Sequence, residues 1–165
     1  MKKFMYLAIL AALIAGCDSD DDCSTATNDP PAEIKLSADI FEIQTRAPVN
    51  TGQAITAKFV ASATSSDYST NLWNATGAFS ASTTASAPFT LTPAQYYPTN
   101  GSTVYIKGYY PLGTLSGNNV TFAETDGSND VMITAEVSGN KSTSGALGFT
   151  FNHLLTQLQF TFKAG

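Results

Sequence analysis

Thiol, imidazole and guanidinium groups, which carry much of the covalent and acid–base chemistry of proteins, are scarce in this 165-residue chain. It has two cysteines, Cys17 and Cys23, one histidine, His153, and one arginine, Arg46. A thiol can be acylated or oxidised, and an imidazole can act as a general base. The peptide bond after an arginine is open to arginine-specific proteases. The surroundings of each residue decide which chemistry is available.

Cys17 stands at the end of an apolar segment. Lys2 and Lys3 precede the apolar residues 4–14, and Leu13-Ile14-Ala15-Gly16 leads into the cysteine. This order of basic, apolar and small residues is typical of a secretory signal. The apolar run is too short to cross the bilayer core, which takes about 20 residues. The residues before Cys17 match a bacterial lipobox, so we expect residues 1–16 to be a signal peptide and Cys17 to carry lipid. A free or disulfide-bonded thiol is the alternative.

An acidic run follows the cysteine directly: Asp18, Ser19, Asp20, Asp21 and Asp22. It is similar to the signal that sends some bacterial lipoproteins to the outer face of the outer membrane. It would serve equally as a solvated spacer, because a block of like charges repels itself. Residues 17–32 are therefore predicted to be a lipidated, disordered tether on the cell exterior. Cys23 within it is either a free or intermolecularly bonded thiol or an incidental residue.

Charge and composition exclude some classes of partner. Charged residues are only 13% of the chain, and eight of its 13 acids lie at or before Glu42. The folded part is thus near neutral, and its basic residues stand singly, so nucleic acid is not expected as a partner.

Catalytic and metal-binding sets are also missing from the sequence. His153 lies between Phe151 and Leu154, which favours a packed histidine or a strand-end residue over a member of a triad. No His or Cys pair has metal-ligand spacing. The loop that starts at Asp126 has Val137 at its twelfth position, where a calcium loop needs a carboxylate. We expect no enzyme activity, no metal and no cofactor.

The elements that would position any site are strands. Alternating or aromatic-rich segments predict strands at residues 34–40, 55–59, 78–82, 88–92, 103–109, 119–123, 131–137, 147–151 and 158–162. Turn clusters at 98–101, 116–119, 126–129 and 138–141 separate several of them. In residues 131–137 the alternation places Val131, Ile133, Ala135 and Val137 on one face. A single helical turn is expected near residues 92–96, since Pro93 suits a first helical position. Residues 33–165 therefore predict an all-β sandwich of about seven strands with Greek-key connections.

Aromatic side chains offer a second binding hypothesis. Those able to stack on sugars are Trp73, Tyr96, Tyr97, Tyr105, Tyr109 and Tyr110. A surface lipoprotein could hold glycans with them. The alternative is that they are half-buried strand residues, as in many β-sandwiches.

Several motifs together resemble one family. They are the lipobox, the acidic leader, Thr45-Arg46-Ala47, Gly108-Tyr109-Tyr110-Pro111, Asp130-Val131-Met132, and the segment from Phe149 to Phe160 around His153. Their order is similar to that of the fimbrillin-like surface lipoproteins, and the resemblance runs from Cys17 to the end. It implies transthyretin-like β-sandwiches that act as stalk, tip or anchor subunits of adhesive pili, with other fimbrial subunits, host or bacterial proteins, or glycans as partners.

The resemblance also implies a route of assembly. Family precursors are cut by an arginine-specific protease after the first strand, and the emptied groove accepts a strand of the next subunit. Residues 34–45 would be the strand that leaves, and the cut would fall between Arg46 and Ala47. Arg46 as an ordinary loop residue is an equally good interpretation. The family motif around His153 usually precedes a second domain, so ending at Gly165 suggests a truncated or one-domain member.

Overall fold

The computed structural model describes residues 30–41, 51–123 and 130–154. Within these ranges the chain forms strands and no helix. The strands are β1 (Leu36–Ile40), β2 (Ala54–Thr64), β3 (Asp67–Ser80), β4 (Ala87–Phe89), β5 (Leu91–Thr92), β6 (Val104–Tyr110), β7 (Thr114–Ser116), β8 (Asn119–Thr121), β9 (Met132–Thr134), β10 (Val137–Gly139) and β11 (Leu147–His153). The predicted all-β class is confirmed, with more strands than expected.

One large sheet folds over to make the sandwich. Its order is β4-β1-β11-β9-β6-β2-β3-β5, and β10 pairs with β6 beside β9. Phe59 of β2 meets Phe89 of β4 and Phe149 of β11, with ring centroids 5.1 and 5.4 Å apart. Neither β4 nor β11 neighbours β2 in the sheet, so these rings touch across the interior. The predicted β-sandwich is confirmed.

The core follows from alternation along the strands. In β2 the side chains of Ile55, Ala57 and Phe59 are buried and the residues between them are not. In β11 Leu147, Phe149 and Phe151 are buried in the same way. Because successive side chains point to opposite faces of a strand, each of these strands gives one face to the core. Both predictions are confirmed.

A smaller cluster covers the outer face of the sheet. Val60, Tyr68 and Tyr109 are buried there beneath the hairpin of β7 and β8. Gly117 turns this hairpin with a φ of 57°, a conformation that glycine adopts without strain. The turn predicted at residues 116–119 is therefore confirmed. So is the turn at 98–101, where the amide of Gly101 donates to the carbonyl of Pro98.

Strand β3 is much longer than the segment predicted at 78–82. Its first half, from Asp67 to Asn74, is mostly polar and exposed and shows no apolar alternation. It is extended because it pairs with β2 from Thr64 and Asp67 onward, across a two-residue turn. The partner strand, not the local sequence, makes this part a strand.

The face predicted for residues 131–137 is wrong. Met132 and Thr134 face the core, whereas Ile133 lies on the other side of the sheet, against the smaller cluster. In the pairing with β6, Ile133 of β9 lies opposite Tyr109 and Val137 of β10 lies opposite Ile106. The segment from Ile133 to Val137 is therefore one residue longer than the segment of β6 that it faces. This is a β-bulge, which changes the phase of alternation. The Thr134 hydroxyl accepts the Gly108 amide at 2.8 Å beside it.

The helical turn expected near residues 92–96 is also wrong. Leu91 and Thr92 form β5, and Tyr96 makes a β-bridge with Glu33. The amide of Tyr97 donates to Ala32 and the amide of Ile34 donates to Gln95, both at 2.9 Å. Bonds to the chain before β1 therefore hold this segment extended. The strand predicted at 88–92 is split between β4 and β5. The turn predicted at 138–141 starts only at Asn140, because Gly139 still belongs to β10. The strand at 158–162 and the turn at 126–129 lie outside the described residues.

Candidate functional site

Strand β1 lies inside the sheet between two very different neighbours. It runs parallel to β11 over its full length, from Leu36 opposite Leu147 to Ile40 opposite Phe151. It runs antiparallel to β4 over three residue pairs only. β4 contains Pro88, which has no amide hydrogen to give to a ladder. The bonding of β1 is therefore extensive on one side and slight on the other.

The core holds the side chains of β1 and that of Ile34, two residues before it. Ile34, Leu36, Ala38 and Ile40 are all at most 4% exposed and belong to the main cluster. Complete burial of an isoleucine or leucine side chain is worth roughly 2 kcal/mol. Lys35, by contrast, is exposed, and Ser37 and Asp39 are half-buried on the other face. The strand thus inserts an alternate row of apolar side chains into the sandwich.

Single backbone bonds extend the attachment at both ends of β1. The Leu147 amide donates to the carbonyl oxygen of Lys35, and the Ile40 amide donates to the carbonyl oxygen of Ser82, each at 2.9 Å. Near the first end, Ile34 and Leu36 line a mainly apolar cavity of about 270 Å³ with Pro88 and Phe89. β1 and β4 are therefore not fully packed together where their pairing stops.

His153 closes the other end of β1. It is the last residue of β11, and its side chain is 3% exposed. Its Nδ1 lies 2.6 Å from Oδ2 of Asp130, whose side chain is 0% exposed. Its Nε2 lies 2.9 Å from the carbonyl oxygen of Phe41, the residue after β1. The expected packed, strand-end histidine is found, but no sequence pattern indicated its contact with Asp130.

Glu136 organises a second polar group on the outer face. Its carboxylate accepts hydrogen bonds from the hydroxyls of Ser65 and Tyr68, at 2.7 and 2.6 Å, and from the Ser66 amide at 2.8 Å. Burial acts to raise the pKa of Glu136, but these bonds and Lys107 outweigh it and hold that pKa below its ordinary value. Burial, the bond to Glu136 and its charge raise the pKa of Tyr68. The bulge after β9 places Glu136 here, and no sequence pattern identified it.

The aromatic residues considered for glycan stacking do not share one surface. Tyr97 lies in the main core and Tyr109 in the smaller cluster, both buried. Trp73 and Tyr110 pack partly buried against the main core, and Tyr96 is exposed. Most of them therefore pack the two cores, as in the alternative interpretation.

The residues predicted to be modified or cut lie elsewhere in the chain. Cys17, the run from Asp18 to Asp22, Arg46 and Ala47 are all outside the described residues. Within the described ranges, no group of three or more His, Cys, Asp or Glu side chains could hold a metal ion. Nor does that part of the chain contain a helix that is long and apolar enough to cross a membrane.

Comparison with protein families decides the relationship of the chain. The model of the fimbrillin-like family matches residues 45–165. The chain belongs to the fimbrillin-like family. This is a structural rather than an enzymatic family, and it points to a fimbrial subunit at the cell surface that associates with other such subunits. No curated protein and no solved structure matches the chain significantly. The family match begins after β1.

Proposed function

We propose that this fimbrillin-like chain is a lipid-anchored pilus subunit for cell adhesion that joins its neighbours by exchanging strand β1. The observation that carries the proposal is the position of β1. Three buried side chains of its own, the buried Ile34 just before it and a full parallel ladder with β11 hold it, yet it is one short strand that precedes a lone arginine. The lipobox at Cys17 and the acidic run after it support anchoring in the outer membrane, facing outward.

Removal of β1 would leave a groove that needs a new occupant. The groove would lie between β11 and β4 and would expose the pockets of Ile34, Leu36, Ala38 and Ile40. It would also expose the unpaired backbone groups of β11, which are costly to leave without partners. An extended segment with apolar residues at every second position satisfies both needs at once, as in other cases of strand addition.

The geometry defines what a donor strand must do. It must run parallel to β11, because β1 does so from Leu36 to Ile40. It must also carry a small side chain at the position of Ala38, which is 0% exposed between larger neighbours. A segment of another fimbrial subunit with this pattern is the proposed partner.

The test uses the single arginine. An arginine-specific protease should cut the full chain after Arg46, and the product should form complexes with a fimbrillin-like relative or with itself, seen by size-exclusion chromatography. Arg46→Lys is the matched control, since it keeps the charge but resists this protease. It should remain uncut and monomeric after the same treatment.

A peptide makes the test specific for the groove. A synthetic peptide of residues 33–45 should bind the cut protein and block its association, and the same peptide with Leu36→Asp should do neither. If the cut product stays monomeric and binds neither a relative nor the peptide, strand exchange is wrong.

A further inference from the structure

The two ring nitrogens of His153 both face oxygen atoms that accept hydrogen bonds. Nδ1 lies against a carboxylate oxygen of Asp130 at 2.6 Å, and Nε2 lies against the carbonyl of Phe41 at 2.9 Å. Nδ1 makes no aligned hydrogen bond with any of the described residues, so its contact with Asp130 is a close approach of two polar atoms. A neutral imidazole carries only one ring hydrogen, so it can donate to one of these oxygens but not to both.

Both of these short contacts are favourable only when the pair holds a second hydrogen, because two acceptor atoms repel each other at such distances. Either the imidazole is doubly protonated beside a carboxylate, or a carboxylic acid donates to Nδ1 while Nε2 donates to Phe41. In both forms the pair has no net charge, which suits its burial. Loss of one proton leaves a carboxylate beside a neutral imidazole. The one remaining ring hydrogen is then on Nδ1, where it faces the carboxylate. Nε2 is left with a lone pair that faces the Phe41 carbonyl oxygen.

We propose that His153 and Asp130 form a proton-dependent latch that holds the C-terminal end of β1 in the sheet. The proposal rests on the proposed function, in which β1 leaves. Phe41 is attached to β11 by both of its backbone groups, since its amide donates to the Phe151 carbonyl at 2.9 Å. A strand cut at Arg46, five residues further on, is freed first at this end. The Phe41 contacts are then the first of the described contacts to break.

Within the described residues, few other titratable groups of the packed elements share this side of the sheet. β9 contributes Met132 and Thr134, and β6 contributes Tyr110, which pairs with Met132. Asp39 of β1 pairs with the exposed Thr150, so its side chain lies on the opposite face. Among the residues that the structure describes, Asp130 is therefore the acid in direct contact with the imidazole.

The first experiment measures hydrogen exchange of the Phe41 amide by NMR in the uncut full chain. After correction for intrinsic exchange, its protection should fall by about ten-fold between about pH 5 and about pH 8. The Phe59 amide, in the middle of β2, should keep its protection and report that the fold is intact. Equal protection of Phe41 at both pH values would overturn the latch.

Asp130→Asn separates protonation from packing. Its amide can donate to Nδ1 while the neutral ring donates from Nε2 to Phe41, so this variant should keep Phe41 protected at both pH values. His153→Leu should lower the protection at both, and Asn152→Ala, an exposed neighbour on β11, should behave as the wild type. A wild-type pH profile in Asp130→Asn would also overturn the proposal.

The second experiment separates the latch from strand exchange. Protein cut at Arg46 is shifted to low or high pH, and the fragment that contains β1 is followed by size-exclusion chromatography. In the wild type the fragment should dissociate about ten-fold faster at high pH than at low pH. In Asp130→Asn it should dissociate at the same rate at both pH values. If Phe41 exchange follows the expected profile but the fragment never leaves, the latch stands and strand exchange fails.

Discussion

The hydroxyl of Tyr68 donates a 2.6 Å hydrogen bond to the carboxylate of Glu136, and this bond joins the start of β3 to the bulge between β9 and β10. The same carboxylate also accepts hydrogen bonds from Ser65 and Ser66. Ser66 has a φ of 60°, which residues other than glycine seldom adopt. One carboxylate thus fixes a tight turn and a bulge that are distant in sequence.

Replacing Glu136 with Gln should weaken the fold in a pH-dependent way. The pKa of Glu136 is lower in the folded protein than its ordinary 4.5, so its stabilisation is present above that value and is lost as the pH falls through the folded pKa. The variant should lose about 1 kcal/mol at neutral pH, because the site is only partly buried, and nothing in acid. Urea unfolding at both pH values measures this, with Glu33→Gln as the exposed control. An equal loss at both would contradict the assignment.

Gly108→Ala should destabilise the sandwich. A Cβ at this position would lie 2.8 Å from the Phe59 ring and 3.0 Å from the Phe151 ring, two of the largest buried side chains. Overpacking of this kind costs about 2 kcal/mol. The control is Gly148→Ala in β11, where the nearest atom would be 3.8 Å away. Thermal unfolding should place Gly108→Ala well below both the wild type and the control, and equal midpoints would show that the core adapts freely.

Cys17→Ala should remove the lipid anchor. Without the thiol there is no acceptor for the acyl chains that hold a lipoprotein at a membrane. The variant should stay unprocessed or appear in the soluble fraction, whereas Cys23→Ala should fractionate with membranes like the wild type. Unchanged fractionation together with an unchanged mass of the N-terminal peptide would disprove the lipidation.

Replacing Asp20, Asp21 and Asp22 with Ala should reduce surface display. The lipid should remain, but an external protease should digest less of the protein on intact cells if the acidic run directs export. Mutating Ser24, Thr25 and Thr27 to Ala provides a control in the same leader without a change of charge. Equal digestion of all three proteins would leave the acidic run as a spacer only.

Sequence patterns predicted those elements whose own residues alternate. β1 and β11 show this plainly, since their apolar residues recur at every second position and face the core. The polar first half of β3 has no such pattern and depends on pairing with β2. The bulge after β9 shifts the face of Met132 in a way that alternation alone cannot reveal.

The candidate site was predicted in part for the same reason. The strand that would leave could be found from the apolar row Ile34, Leu36, Ala38 and Ile40. Its end contacts could not, because His153 and Asp130 meet only through the pairing of β11 with β9. A single histidine between apolar residues carries no sign of the partner that the sheet will bring to it.

The parallel pairing of β1 with β11 also sets an order of folding. Leu36 pairs with Leu147, so almost all of the described chain has to be translated before the first strand has its partner strand. Such distant pairings form late and slowly. Until then the apolar β1 remains without partners, like the donor strand of a neighbouring molecule. The final folding step within one molecule and the proposed joining of two molecules are then the same insertion reaction, first within one chain and later between chains.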